Sequence, residues 1–433
     1  MARIKLAYIG GGSTRAPGTM AALIANHGPA FAGSEVALVD LDPGRLDIVR
    51  RLASRMAEVR GLDIRFTATT DRCAGLADAD AVLTSYRPGG FEARTIDERI
   101  PLRHAIIGQE TQGPGGFFMA LRSIHVLKGI LDDIAAVAPR ARVFNYTNPV
   151  NILADAVQRH SEIPFWAFCE GAYDFPRELA RAAGLEPERL TATMVGLNHA
   201  TWSVEQAYDG ADVLPILRDR LAAMRADEAA RPADVRLVDL AVRVGAVPAS
   251  YLCYFYFHDE ILAELQARPT TRAEDIVGWT ADYWRHYAEQ ADAPEPALDP
   301  ARSRGGIFEL ELALHAMDSH FNDLGDVMPV NTRNDGALPG FPDDLAVEVW
   351  CRVDRAGVQP VPSKPLPAPG VGLIKHLAEY QRLAADAAWH GSRGDAIVAL
   401  TSHPWIGQFG LAERLYDEMA AEHRAHLPAR LLA

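Results

Sequence analysis

The sequence predicts an α/β chain: a doubly wound, mostly parallel sheet in residues 1–165, followed by a larger α+β part in residues 166–433. Three observations predict it. The opening "RIKLAYIGGGSTRAPGTMAALI" reads as a short apolar strand, a glycine turn and a helical pattern. "EVALVDLD" reads as a second apolar strand that ends in an acid, Asp40. Further apolar strands, "IRFTATT", "DAVLTSY" and "ARVFNYTNPV", alternate with helical stretches, the pattern of a parallel sheet covered on both faces.

The glycine turn says what the first part is for. Gly10 and Gly12 let backbone N–H groups approach a pyrophosphate, and Ser13 and Thr14 open the helix whose N-terminus would receive it. The third glycine position of a full dinucleotide motif holds Arg15 instead. Asp40 suits a ribose 2′-hydroxyl and would repel a 2′-phosphate, so the expected cofactor is NAD+ in preference to NADP. Residues 1–165 are therefore expected to form a Rossmann-type NAD-binding domain, with residues 166–433 serving catalysis, substrate binding and oligomerisation.

Loop chemistry is dense after the fourth strand, in "TSYRPGGFEARTIDERIPLRHAIIGQETQGPGGFFMALR". Arg87 and Arg94 follow a strand's C-terminal end, where guanidinium groups can grip an anion. "GQETQGPGG", set between apolar helices, reads as a loop closing over a cofactor. Two more apolar runs then end abruptly: "IPFWAFCEG" at Cys169 and Glu170, and "MVGLNHATW" at His199. One thiolate and one imidazole can hold a divalent cation while leaving coordination positions open. The plainer reading is a core cysteine, a satisfied core histidine and a helix N-terminal acid. Beyond residue 205 the pattern is longer helices and irregular joins such as "DAPEPALDPARSRGG" and "PVPSKPLPAPGVG". "VPASYLCYFYFHDE" carries Tyr251, Tyr254 and Tyr256, either an aromatic packing strip or a source of phenolic bases.

Composition narrows the partners. A formal net charge of -14 over 433 residues argues against nucleic-acid binding, which needs a basic face. Four scattered cysteines do not make a secreted disulfide framework, and no run approaches the length of a membrane span. The expectation is a cytoplasmic protein with a small-molecule substrate.

"NYTNPV", "YDFPR" and "GLNH" echo the lactate and malate dehydrogenases. There His199 would accept a proton, Asp174 orient it and Arg177 clamp a carboxylate, but Cys169 would have no role. A wider set, "YIGGGSTRAP", "RPGG", "IPLRHAIIGQETQGPGGFFMALR", "NYTNP", "FC", "GLNH", "YLCYFY" and "NTRNDG", resembles glycoside hydrolase family 4 in order and spacing. Within it, the chain resembles the 6-phospho-β-glucosidase branch and the related NAD-dependent sulfoquinovosidases.

That resemblance implies a lactate/malate dehydrogenase-like fold with an enlarged second domain, a cytoplasmic homodimer or homotetramer, and the cofactors NAD+ and a divalent metal, Mn2+. Departure from two-carboxylate hydrolysis is a known property of that family. It implies transient oxidation at C3 of the sugar, loss of the C2 proton to a tyrosine, elimination of the aglycon, addition of water and return of the hydride. Carried over by motif, Cys169 and His199 are the metal ligands and Tyr251 is the base, with Tyr254 in reserve. Asn148 would serve cofactor and sugar, and Asn198, Arg87, Arg94 and Arg333 would bind substrate. One departure stands out: where the phospho-β-glucosidases typically have Cys-Asn and then proline, this chain has Cys169-Glu170-Gly171. Members acting on 6-phospho-α-glucosides carry an acid there, so Glu170 is expected to help an α-linked aglycon leave. The departure also leaves the anion at C6 open, and an α-sulfoquinovoside ranks slightly above a 6-phospho-α- or β-glucoside.

Overall fold

In the computed structural model, which describes residues 1–304, 308 and 310–433, strand β1 (Lys5–Ile9) lies in the middle of the first half of the sheet. On one side come β2 (Ser34–Val39) and β3 (Ile64–Thr69); on the other come β4 (Ala81–Thr84), β5 (Arg142–Asn145) and β6 (Phe165–Ala167). All are parallel, in the order 3-2-1-4-5-6. These strands are near-continuous apolar runs because helices cover both faces, each face burying its own hydrophobic core. Strand order reverses between β1 and β4, which opens a crevice at their C-terminal ends, the place where such sheets bind nucleotides.

The sheet does not stop at β6. Antiparallel β9 (Asp326–Arg333) pairs with it, followed by β10 (Ala346–Asp354), β7 (Leu190–Leu197) and β8 (Ala200–Tyr208), while β11 (Gly357–Pro360) folds back on β10. One eleven-stranded sheet thus runs across the division expected at residues 165–166 without a break. Its register matters for the site. Asn331 sits opposite Ala167 on one side and Glu348 on the other, and Glu348 sits opposite Gly196. The ends of β6 and β7, which carry Cys169 and His199, are thereby brought to the same place.

The "GPGG" segment opens the helix Gly113–Val137, whose apolar face is buried along most of its length. Gly113 has φ +61 with the Trp405 ring against it, a position that admits no side chain. The "YLCYFY" stretch forms two short helical turns, Ser250–Leu252 and Cys253–Tyr256, so Tyr251 and Tyr254 share a face. The last two residues of "DAPEPALDPARSRGG" lie outside the described residues. Among the described residues no helix is long and apolar enough to cross a membrane.

Candidate active site

The turn after β1 is shaped by sterics. Gly10 adopts φ +97, and a Cβ there would run into the Ser85 carbonyl at the end of β4. Gly12 donates its N–H to Asp40 at 2.9 Å, and the other Asp40 oxygen accepts from Leu41 N–H. Asp40 therefore fastens the turn to β2. Ser13 and Thr14 follow at the helix entrance; the Ser13 hydroxyl is buried with no partner among the described residues. A buried donor left open beside a glycine cradle is what a pyrophosphate would complete. Asn148 lies at the end of β5 with its side-chain oxygen likewise buried and unpartnered.

Cys169 and His199 meet as the spacing suggested. The Cys169 sulfur is 3.6 Å from His199 Nε2. His199 occupies a two-residue hairpin turn between β7 and β8 with φ +62, a conformation costing a non-glycine residue about 1–2 kcal/mol. Its tautomer follows from its neighbours. The Thr111 hydroxyl donates to Gln109 Oε1 at 2.9 Å, so it accepts from His199 Nδ1–H, also 2.9 Å away. That leaves the Nε2 lone pair facing the sulfur as an acceptor for the Cys169 thiol. Burial lowers the His199 pKa to about 4, so the ring is neutral at pH 7. Burial, and then the Glu348 charge, push the Cys169 thiol up to about 12, although the Asn198 amide and the Gly171 N–H pull the other way. A thiol and a neutral imidazole nitrogen side by side are a donor pair suited to a divalent cation, whose charge would offset the cost of the thiolate.

Tyr251 stacks on His199, ring centroids 4.2 Å apart and planes 1° from parallel, and Tyr254 packs against Tyr251 at 5.9 Å. Both line a cavity of about 430 Å³ together with Arg15, Arg94, Glu110 and Arg304. Burial raises the Tyr251 phenol well above its ordinary range, with Glu110 adding to the effect.

The arginines behave differently from one another. Arg87 and Arg94 both pair with Glu110, Arg94 at 2.8 Å, and Arg94 also holds Glu98 at 2.7 Å. Burial alone would raise the Glu110 carboxyl, yet Arg87, Arg94, Arg304 and Arg15 together hold it far below the usual carboxylate range. Four guanidinium groups thus act on Glu110, while Glu98 pairs with Arg94. Arg304 is the least comfortable: burial first, then Arg15, lower its pKa to about 9. Arg333, expected at the substrate, is not among the cavity's lining residues. It ends β9 half-exposed and pairs with Asp335 at 3.2 Å, because the strand turns toward solvent there. Asp174 and Arg177, the pair of the dehydrogenase reading, lie about half-exposed 3.6 Å apart on the surface of the helix Gly171–Ala182.

Glu170 is the N-cap of that helix without capping it by its side chain. Its carboxylate instead accepts from the Tyr146 hydroxyl and from the Leu312 backbone N–H at 3.3 Å. Neither donor was visible in the sequence, one being far along the chain. The sequence reading also missed Arg15, Arg304, Glu110 and Thr111. Arg15 stood in plain view as the residue replacing a motif glycine, and Glu110 and Thr111 belong to the "GQETQGPGG" loop, whose density of polar groups was the available signal. Nothing local marks Arg304.

The Family 4 glycosyl hydrolase profile matches residues 5–185, and the profile of that family's C-terminal domain matches residues 194–406. The chain is 34% identical to a probable 6-phospho-beta-glucosidase of Bacillus subtilis (strain 168), over 98% of this chain and 97% of that protein. It is 26% identical to a 6-phospho-alpha-glucosidase of Leptotrichia buccalis, over 99% of each. A solved structure of the 6-phospho-beta glucosidase from Thermotoga maritima, with manganese, NAD+ and glucose-6-phosphate, superposes with a TM-score of 0.83 at 25% identity, covering 98% of this chain and 99% of that one.

Proposed function

Since the chain belongs to family 4 of the glycosyl hydrolases, we propose that it cleaves a glucoside carrying an anionic group at C6, by NAD-dependent oxidation and elimination, with an α-sulfoquinovoside as substrate. The observation that carries the anion is the cavity beside Tyr251, where Arg15, Arg94 and Arg304 outnumber Glu98 and Glu110. A cavity lined by more guanidinium groups than carboxylates is a place where an anionic ligand is stabilised.

In this reading Gly10, Gly12, Ser13 and Thr14 cradle the cofactor's pyrophosphate, Asp40 receives its ribose and Asn148 reaches toward both cofactor and sugar. The open Ser13 hydroxyl and the Gly10 approach to Ser85 support the fit. Cys169 and His199 hold a divalent cation, for which Mn2+ in the Thermotoga maritima structure is the precedent. When bound, NAD+ supplies a reversible hydride acceptor at C3 and the cation supplies Lewis acidity toward the neighbouring hydroxyls. Tyr251, stacked on His199, takes the C2 proton, and Tyr254 packs behind it. Burial makes the phenolate costly in the free chain, so Tyr251 serves as a base only next to positive charge, which Arg94 and the cation would provide. Glu170, bonded to Tyr146, is the residue through which a proton reaches the departing oxygen. Asn198 lies behind the metal pair, and Arg87 buttresses Glu110. A reduced Cys169 and the need for NAD+ both suit the cytoplasm, and a homodimer or homotetramer is the expected assembly.

One observation favours sulfonate: Glu110 within the arginine cluster tempers the cluster's charge toward a monoanion, while Glu170 in place of the asparagine of the phospho-β branch favours the α linkage with either anion. The second reading, a 6-phospho-α- or β-glucosidase, is favoured by the relatives' substrates. Release of 4-nitrophenol from its α-sulfoquinovoside and from its 6-phospho-α- and β-glucosides, each with NAD+ and Mn2+ added or withheld, decides between them. Cleavage of the sulfoquinovoside alone supports the proposal, cleavage of a phosphoglucoside alone replaces it with the second reading, and turnover without NAD+ overturns the mechanism.

A further inference from the structure

The cavity beside Tyr251 and the glycine turn after β1 are joined by one buried hydroxyl that the reaction as proposed does not use. Tyr287 lies on the helix Arg272–Ala291 and is 1% exposed. Its hydroxyl donates to the Thr14 carbonyl at 3.0 Å and accepts from the Arg304 backbone N–H at 3.1 Å. A phenol has one proton, so the two bonds have fixed directions: the hydrogen goes to Thr14 and a lone pair receives Arg304. Both partners are backbone groups that carry the cavity's cations. Arg15 follows Thr14 directly, and the guanidinium groups of Arg15 and Arg304 line the same cavity.

The two sides differ in how else they are held. The glycine turn is fastened to β2 by the Gly10 and Gly11 N–H groups on the Val39 carbonyl, at 2.9 and 3.1 Å, and by Gly12 N–H on Asp40 at 2.9 Å. The chain leading to Arg304 runs along the helix that carries Tyr287: Asp299 N–H donates to His286 at 2.9 Å, and Arg302 pairs with Asp282 at 3.1 Å. Past Arg302, among the described residues, the bond from Arg304 N–H to Tyr287 continues that attachment. Charge does not draw Arg304 toward Arg15, since like charges in one cavity repel. A neutral bond to its backbone resists that repulsion where an ion pair does not.

We propose that Tyr287 is a positioning residue for substrate specificity: its hydroxyl anchors the Arg304 backbone to the cofactor turn, so that Arg304 and Arg15 meet the anion at C6 of the sugar together. The anchor is the glycine turn, which its own bonds to β2 already hold, and the residue being placed is Arg304. Loss of the hydroxyl therefore acts on the guanidinium and not on the turn. The ring itself packs edge-on against Trp284, centroids 5.6 Å apart, a contact that phenylalanine would keep.

This inference rests on the reading that the cavity takes the C6 anion, and the experiment separates the two. Dissociation constants of sulfoquinovose and of glucose 6-phosphate are measured by calorimetry for the full chain with NAD+ and Mn2+ present, together with that of NAD+ alone. Tyr287→Phe is expected to weaken binding of whichever anionic sugar the parent prefers by about 2–10-fold, the worth of one hydrogen bond, with NAD+ affinity unchanged. In an Arg304→Met background the same change is expected to have no further effect, because no guanidinium is left to place. Unchanged sugar affinity in Tyr287→Phe, while Arg304→Met loses it, would overturn the role of Tyr287 and leave the anion site standing. Unchanged affinity in Arg304→Met, or no binding of either sugar by the parent, would overturn both. An equal loss in the two backgrounds, or a parallel loss of NAD+ binding, would mean that Tyr287 supports the fold and not the guanidinium.

Discussion

Arg304 offers a test in which stability and function move in opposite directions. Its guanidinium lines the cavity, lies 4.8 Å over the Phe91 ring, and forms no ion pair among the described residues. Burial, then Arg15, bring its pKa from 12.5 to about 9. At about 1.36 kcal/mol per unit, the charged form is disfavoured by about 4–5 kcal/mol in the ligand-free protein, an upper bound because water and side chains rearrange around it. The sign is that of a depressed base: the penalty is fully present below pH 9 and fades as the pH rises toward 12.5. Arg304→Met should remove about 1–2 kcal/mol of net penalty after loss of the Phe91 contact. For 433 residues, at about 2.1 cal/mol/K each, that is a rise in Tm of about 1–2 °C. The same change removes a charged contact worth about 1.5–3 kcal/mol to a bound anion, so kcat/KM on the C6-anionic substrate should fall about 10–100-fold. Differential scanning fluorimetry without ligand, and kinetics on the anionic substrate beside 4-nitrophenyl glucoside, read both effects. A lower Tm, or an equal loss on the uncharged glucoside, would refute the reasoning.

Other perturbations follow from the same geometry. Cys169→Ala should abolish Mn2+ binding and lower turnover at least about 1,000-fold while leaving NAD+ affinity intact, which calorimetry with each ligand separately will show. Gly10→Ala forces a Cβ into the Ser85 carbonyl at φ +97, so NAD+ binding should weaken by at least about tenfold in a fluorescence titration; an unchanged affinity would mean the turn is not the pyrophosphate cradle. His27 is buried between Asp318 at 3.0 Å and Glu311 at 3.1 Å; burial alone would lower its pKa, but the two carboxylates outweigh it and raise it to about 9. A raised pKa gives stability that is fully present below pH 6.5 and lost as the pH rises through 9, here at most about 3 kcal/mol. Urea unfolding at pH 6 and pH 9.5 should show that loss in the parent and not in His27→Asn.

The sequence by itself determined the local chemistry. The glycine turn, Asp40 and the apolar strands of the first half were legible because strand period, positive φ and parallel burial depend on near neighbours. Cys169 and His199 were legible as donors because each ends an apolar run, and Tyr251 with Tyr254 because they lie one helical turn apart. What only the tertiary structure decided is how these groups are held. Thr111 sets the His199 tautomer, Tyr146 and the Leu312 N–H take the two oxygens of Glu170, and the β6–β9–β10–β7 register puts Glu348 behind Asn198. Arg304 meets Arg15 and Glu110 across most of the chain, whereas Arg333, next to a motif asparagine, turns away to solvent. The physical reason is range. Backbone preference and burial pattern are set over a few residues, but a proton's position, a carboxylate's partner and a guanidinium's pKa are set by whichever charges the fold places within a few ångströms, and the order of antiparallel strands that does so is not written in any one of them.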